Sequence, residues 1–251
     1  MDIRNKVALV TGASVGTGRA IARRLATEGA AVVLADIDCV GGEQTRRMIR
    51  DAGGDARFIA ADMCSETGIA RMIDFAVTEA GGLDILVNNA GGGGHVPPHF
   101  PDATPAQWGA LLDLNLRGPM LATQLAITAM QGRHGGVIVN VASTAGLGHR
   151  SYQSPEYGAA KAGLIRFTSS LTGLRERTNV RVVCIAPDWV GTERALRELA
   201  AMTGAQRATV PDPIPMAQFT DAVVELVRDD RLDGRVLVLL PGQSAQLLDQ
   251  I

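Results

Sequence analysis

Short apolar runs recur along this chain, spaced far enough apart for a helix to fit between most neighbours. Val7–Val10, Ala31–Ala35, Phe58–Ala61, Ile85–Val87, Val137–Val141, Val180–Ile185 and Arg235–Leu240 all read as strands. Apolar runs that do not alternate with polar residues are buried on both faces. Strands of that kind belong to a parallel sheet, because the crossovers joining parallel strands are helices that cover it. The stretches between fit this reading. Helices are predicted at Gly18–Glu28, Glu43–Ala52, about 66–80, Thr104 to about Met130 and Ser154 to about Arg177, with two shorter ones near Arg194–Met202 and Ala217–Arg228. The whole pattern predicts one doubly wound α/β domain across residues 1–251, a seven-stranded parallel sheet with helices on both faces. No linker or compositional shift divides the chain. Gly91–Gly94 and Thr203–Pro215 are expected as loops.

Composition narrows the function classes. Net charge is −2 and the pI about 6.1, which gives no electrostatic footprint for nucleic acid. No apolar run reaches the roughly 20 residues a membrane-spanning helix needs. The N-terminus leads directly into the first strand without a signal-peptide pattern, so a cytoplasmic location is expected. Cys39, Cys64 and Cys184 are far apart, and the four histidines form no ligand spacing; no metal is expected.

The first strand is followed by Thr11-Gly12-Ala13-Ser14-Val15-Gly16-Thr17-Gly18, which opens the first helix. Glycines at such a turn let the backbone approach a pyrophosphate, and the helix N-terminus adds N–H donors and partial positive charge. Asp36 ends the second strand, eighteen residues beyond Gly18. An acid there can take the ribose hydroxyls of NAD and would repel the 2′-phosphate of NADP. The context is that of a Rossmann-type dinucleotide site, and NAD is the expected cofactor.

Tyrosine and lysine are both scarce, with two tyrosines, and two lysines against twenty-two arginines. Yet Tyr157 stands four residues before Lys161. Ser154-Pro155 starts a helix there, which puts the phenol and the ammonium on one face. A neighbouring cation lowers a phenol's pKa towards the working range, and a proton-transfer group results.

Taken together these segments resemble the short-chain dehydrogenase/reductase family, in its shorter, classical branch, over nearly the whole chain. Thr11-Gly12-x-x-x-Gly16-x-Gly18 matches the family's cofactor loop, with Ser14 and Thr17 inside it. Asp62 matches its adenine-contacting acid, with Met63 beside it in the cofactor set. Asn88-Asn89-Ala90-Gly91 matches its signature after the fourth strand. Pro187, Val190 and Thr192 follow the sixth strand where the family contacts the nicotinamide end. The resemblance implies Ser143, Tyr157, Lys161 and Asn115 as the catalytic set. Tyr157 would exchange the substrate proton, Lys161 would hold the nicotinamide ribose, Ser143 would bind the substrate oxygen, and Asn115 would bend its helix and hold a water. It implies hydride transfer between NAD and a secondary alcohol or ketone, in a homotetramer or homodimer.

Several positions depart from the family pattern. Thr17 stands between the last two loop glycines, with a hydroxyl free to bond the pyrophosphate. Asp188 replaces a glycine after Pro187 and is expected to favour the oxidised ring. Residues 148–153, one longer than usual, border the substrate side, and residues 193–215 are expected to act as a lid. The apolar tail, Leu247-Leu248-Asp249-Gln250-Ile251, is expected to pack on a neighbour. His95, Val96, Ala145, Tyr152, Trp189, Leu196 and Leu199 are the expected pocket lining, without arginine or lysine, which implies a neutral, fairly apolar substrate. An NADPH-dependent ketoreductase would require Asp36 to play another part. A non-catalytic dinucleotide-binding regulator would need the glycine loop and Asp36 but not Ser143.

Overall fold

The computed structural model describes residues 1–148 and 152–248. Within them the strands form one sheet, built from β1 (Val7–Thr11), β2 (Ala31–Asp36), β3 (Asp55–Ala60), β4 (Ile85–Asn88), β5 (Gly136–Val141), β6 (Val180–Pro187), β7 (Val236–Leu239) and β8 (Gln246–Leu247). Their spatial order is β3-β2-β1-β4-β5-β6-β7-β8. The first seven pair in parallel; β8, absent from the sequence reading, adds two residues antiparallel to β7. Val10 is paired on both sides, with Leu34 and with Val87, so β1 lies in the middle of the register.

Alternate residues of these strands feed two separate cores, as the pleat requires. Ala8, Val10, Val139 and Ile185 face the side covered by α1 (Gly16–Thr27) and α10 (Met216–Arg228). Leu9, Leu86, Ile138 and Val182 face the side covered by α3 (Glu66–Glu79) and α5 (Gly118–Gln131). Further along that side, Ala142, Cys184 and Val236 meet Leu164 and Ile165 of α6 (Pro155–Ser170). Each fully buried Val, Leu or Ile stabilises the fold by about 1.5–3 kcal/mol.

Several element boundaries differ from those expected. The second helix, α2 (Cys39–Asp51), starts four residues earlier because the Asp38 carboxylate caps it, accepting from the N–H groups of Val40 and Gly41. The long helix is interrupted. Its first part, α4 (Pro105–Leu112), opens on a capping box between Thr104 and Gln107, and a π-helical turn, Asp113–Arg117, separates it from α5. The Tyr157 helix ends at Ser170, where the Thr172 hydroxyl donates to the Ser169 carbonyl; a short α7 (Leu174–Thr178) follows. The expected loop at 203–215 holds a brief α9 (Gly204–Arg207) after α8 (Glu193–Ala201). Leu247 is paired in β8 and Leu248 packs against the α6 core; Asp249–Ile251 and residues 149–151 lie outside the described residues. Among the described residues, no helix is long and apolar enough to cross a membrane.

A buried polar chain runs through the middle of the sheet. The Asn88 amide donates to Asn140 Oδ1 (2.9 Å), Thr123 Oγ1 (3.2 Å) and the Pro119 carbonyl (3.3 Å). The Asn140 amide donates to Thr168 Oγ1 (3.0 Å) on α6. These bonds tie the ends of β4 and β5 to α5 and α6, and thereby set the height of α6 against the sheet. Asn140→Leu removes two buried bonds, while the Asn88 amide keeps Thr123 and Pro119 and the Thr168 hydroxyl keeps the Leu164 carbonyl. Each bond contributes about 0.5–1.5 kcal/mol net, so urea unfolding of Asn140→Leu is expected to show a loss of about 1–3 kcal/mol, with the midpoint shifted and the slope unchanged.

Candidate active site

The site forms at the carboxyl ends of the strands, where β1 and β4 lie side by side and their following segments leave in opposite directions. Open α/β sheets bind ligands at such a switch point. Gly12 sits in the left-handed region (φ 65°) at the turn out of β1, and a Cβ there would come within 2.8 Å of Ala90 Cα. Two loops therefore touch backbone to backbone. Asn89 joins them, donating from its amide to the carbonyls of Thr11 (3.0 Å) and Gly12 (3.3 Å) and accepting from the Thr17 hydroxyl (2.9 Å). The Thr17 hydroxyl is thus committed within the protein rather than free for a ligand, as the sequence reading had it. Val15, at the N-cap of α1, supplies no side-chain cap, so the first N–H groups of that helix are left for an anion.

Two adjoining cavities open here. The first, about 560 Å³, is lined by Gly12, Gly16, Thr17, Asp36, Asp62, Met63, Asn89, Ala90, Gly91 and Thr192, together with Val15, Ile37, His95, Leu114, Glu193 and Arg197. The second, about 740 Å³, is lined by Ser143, Ala145, Leu147, Tyr152, Tyr157, Lys161, Pro187, Asp188, Trp189 and Val190. Thr17, Asn89, Gly91, Gly92, Thr192 and Arg194 border both. Most of the expected cofactor residues are therefore brought to one continuous cleft. Ser14 and Gly18 are not on its walls. Ser14 is buried, its hydroxyl donating to the Asp38 carbonyl and its N–H to the Asp36 carboxylate at 2.9 Å; Gly18 packs against the Gly12 carbonyl. Both shape the loop from behind.

Ser143, Tyr157 and Lys161 meet in the second cavity. Gly94 passes so close to Tyr157 that a Cβ would lie 2.7 Å from the ring, and Tyr152 stacks on the same ring at 5.8 Å. Enclosed in this way, the phenol is pushed up to about 12, chiefly by burial and then by Tyr152, while a hydrogen bond with Ser143 and the Arg194 charge act to lower it. The Lys161 ammonium lies 5.6 Å from the ring centroid and donates to the Val141 carbonyl at 2.9 Å. Burial lowers its own pKa to about 8. The expected lowering of the phenol by Lys161 is not found: the influences that lower it are Ser143 and Arg194, and desolvation exceeds them.

Asn115 lies in the π turn and is fully buried. Its side-chain oxygen accepts from the Gly92 N–H (2.9 Å), and its amide donates to the carbonyls of Gly92 (2.9 Å) and Leu111 (3.0 Å). Asn115 lines neither cavity, but it reaches the site through Gly91. A Cβ on that glycine would lie 2.8 Å from Asn115 Oδ1 and 3.1 Å from Lys161 Nζ, so the two side chains flank one backbone position.

The expected pocket lining is corrected in two respects. Val96, Leu196 and Leu199 line neither cavity, and Val96 and Leu196 are more than half exposed. Arg194, which the sequence reading omitted, borders both. Thr192 caps α8 through the Ala195 N–H (3.2 Å), and Ala195 is the buried residue of that helix. This orientation turns Arg194 and Arg197 to the cleft and Leu196 to solvent. The spacing of two arginines three apart directly after Thr192 was the available signal. Glu156, next to Tyr157, was also passed over; its carboxylate meets His99 Nδ1 (3.1 Å) and the Phe100 N–H (3.3 Å) and fastens the loop beyond Gly94 to α6.

The fold and this cleft define a dinucleotide-binding α/β protein. Residues 6–202 match the family model described as short chain dehydrogenase. The chain belongs to that family. It is 38% identical over 215 residues to cis-4-hydroxycyclohexanecarboxylate dehydrogenase of Sinomonas cyclohexanicum, covering 85% of this chain and 83% of that protein. Among solved structures, 7α-hydroxysteroid dehydrogenase complexed with NADH and 7-oxo glycochenodeoxycholic acid superposes with a TM-score of 0.84 at 27% identity, covering 98% of each chain. A variant of actinorhodin polyketide ketoreductase with NADPH superposes with a TM-score of 0.84 at 29% identity, covering 95% of this chain and 97% of that one.

The buried lysine has a measurable signature. Its folded pKa lies below that of an exposed lysine, so between about 8 and 10.5 the unfolded chain binds the extra proton. Stability from this group therefore rises with pH through that window and is lowest below it. Lys161→Met escapes the penalty. The variant's stability relative to wild type is expected to fall by up to about 3 kcal/mol between pH 8 and pH 10.5, read from paired urea titrations.

Proposed function

We propose that the protein is an NAD-dependent oxidoreductase that interconverts a secondary alcohol and its ketone. One observation carries this reading: Ser143, Tyr157 and Lys161 converge on a cavity continuous with the glycine-loop cleft. A binding module would have no need of the second cavity's chemistry.

The residues present fit a dinucleotide. The uncapped start of α1 and the glycine cradle at Gly12 and Gly16 would hold the pyrophosphate, Asp62 and Met63 the adenine, and Pro187, Val190 and Thr192 the nicotinamide end. Asp36 lines the cleft with one carboxylate oxygen accepting from Ser14 N–H and the other from Asp38 N–H at 3.0 Å. A carboxylate held there suits two ribose hydroxyls and repels a phosphate, which supports NAD over NADP. When bound, the cofactor supplies the hydride acceptor or donor.

The chain's own residues then handle the proton and the oxygen. Tyr157 takes the hydroxyl proton during oxidation and returns it during reduction. Ser143 hydrogen-bonds the same oxygen as charge develops on it. Lys161 holds the cofactor ribose and, once charged, brings the phenol down from its raised value. Asn115 fixes Gly92, and through it the wall between the two cavities.

The substrate is a small alicyclic alcohol or ketone. The relative named for cis-4-hydroxycyclohexanecarboxylate and the neighbour holding a 7-oxo bile acid support a ring-borne carbinol. The protein acts in the cytoplasm as a homotetramer or dimer, a reading that rests on its family.

The test is a panel of cyclopentanol, cyclohexanol, 4-hydroxycyclohexanecarboxylate and its methyl ester, each with NAD⁺ and with NADP⁺, followed by absorbance of the reduced cofactor. Turnover of at least one member with clear preference for NAD⁺ is expected. Tyr157→Phe should lower kcat by at least about 10²-fold while NADH still binds, measured by fluorescence. Unchanged turnover in that variant would remove Tyr157 from the mechanism, and preference for NADP⁺ would reverse the reading of Asp36.

A further inference from the structure

The reaction cavity combines apolar groups, Ala145, Leu147, Trp189 and Val190 among them, with the polar Ser143, Thr144, Lys161 and Asp188, and a second cation, Arg194, borders it. Arg194 is the second residue of α8, and the Thr192 cap fixes its direction. It borders both cavities, whereas Arg197, three residues on, borders the nucleotide side alone. Among the described residues its polar partner is Glu198, at a loose 3.4 Å, with both side chains about half exposed (50% and 45%). A guanidinium has five donors in a planar fork, so most of them stay available for a ligand.

The electrostatics place that charge toward the reacting end. Arg194 acts on the Tyr157 phenol, on Tyr152 and on His95. Asp188, the acid on the same cavity, acts on Tyr152 but is not among the influences on Tyr157. Arg194 is thus the charged side chain on this cavity that acts on the Tyr157 phenol. Lys161, the other cation on this wall, is buried and donates to the Val141 carbonyl.

We propose that Arg194 anchors a carboxylate of the substrate, and that the substrate class is therefore hydroxy acids and the corresponding oxo acids, with the acid group away from the reacting carbinol. This rests on the reading of Tyr157 as the proton-transfer group. A carboxylate matches the planar fork in bidentate fashion. One guanidinium at the rim balances one negative charge, which suits a carboxylate better than a phosphate dianion. The cofactor's pyrophosphate has its own donors at the start of α1, with Arg197 above that cleft. An unpaired carboxylate in such a cavity would be costly to desolvate, so a neutral isostere and the acid should be sorted sharply by this one residue.

The test compares 4-hydroxycyclohexanecarboxylate with its methyl ester in wild type, Arg194→Gln and Arg194→Lys. Wild type is expected to favour the acid at least tenfold in kcat/KM. In Arg194→Gln the acid-to-ester ratio should fall at least tenfold, mainly through KM for the acid, and Arg194→Lys should recover part of it. An unchanged ratio would overturn the proposal. So would a loss seen instead as a raised KM for NAD⁺, which would assign Arg194 to the cofactor. Binding of the corresponding oxo acid and oxo ester to the NADH-loaded protein, followed by tryptophan fluorescence, gives a readout independent of turnover. If wild type binds the oxo acid in preference to the ester and Arg194→Gln does not, the anchor stands even where no alcohol is turned over and the catalytic reading fails. If neither protein distinguishes acid from ester, the anchor is wrong whatever the turnover.

Discussion

The structure of the site depends on the contact between the segment leaving β1 and the segment leaving β4. Thr11 Oγ1 accepts from the N–H groups of Asn89 and Ala90, both at 3.0 Å, while Asn89 returns two bonds to the carbonyls of Thr11 and Gly12. Two adjacent parallel strands would otherwise send their loops to opposite sides with nothing between. This stitch draws them to backbone contact, and only glycine at position 12 permits the approach. The floor of the cleft, the free end of α1 and the position of Gly91 all follow from it.

A second constraint acts from the other side, through desolvation. Tyr157 and Lys161 are both held in their neutral direction by burial, the phenol raised to about 12 and the ammonium lowered to about 8. At neutral pH the phenol is therefore neutral while the ammonium keeps its proton, and burial leaves both sensitive to a charge brought in. The polar chain from Asn88 through Asn140 to Thr168 supports α6 from below, and Glu156 holds the loop above it. The phenol is thus fixed between a rigid strand end and a tethered loop.

Much of this was legible in the residues. The seven apolar runs announced the parallel sheet because burial on both faces removes polar alternation. Gly12, Gly16 and Asp36 announced the cleft because their chemistry is local to one strand–turn–helix unit. Tyr157 and Lys161 announced themselves by helical spacing. What sequence reasoning misplaced depended on orientation between distant elements. Leu196 and Leu199 looked like pocket wall because they are apolar, yet the Thr192 cap turned α8 so that Arg194 took that place. Thr17 looked free to bond a ligand, yet its hydroxyl donates to the Asn89 side-chain oxygen, seventy-two residues away. Asn115 was expected to bend its helix, and a π turn does mark the spot, but its amide closes on Gly92 from another loop.

By itself, then, the sequence determined the strand count of the parallel sheet, the doubly wound class, the glycine turn after β1 and the shared helix face of Tyr157 and Lys161. Those properties arise from periodicity, turn chemistry and spacing within single elements, which short stretches of chain encode directly. Only the tertiary structure decided how strongly burial perturbs Tyr157 and Lys161, which hydroxyls and amides are already spent inside the protein, and which side chain of α8 overlooks the reaction cavity. Those depend on distances between residues far apart in the chain, and desolvation and hydrogen bonding fall off within a few ångströms. No local pattern carries that information.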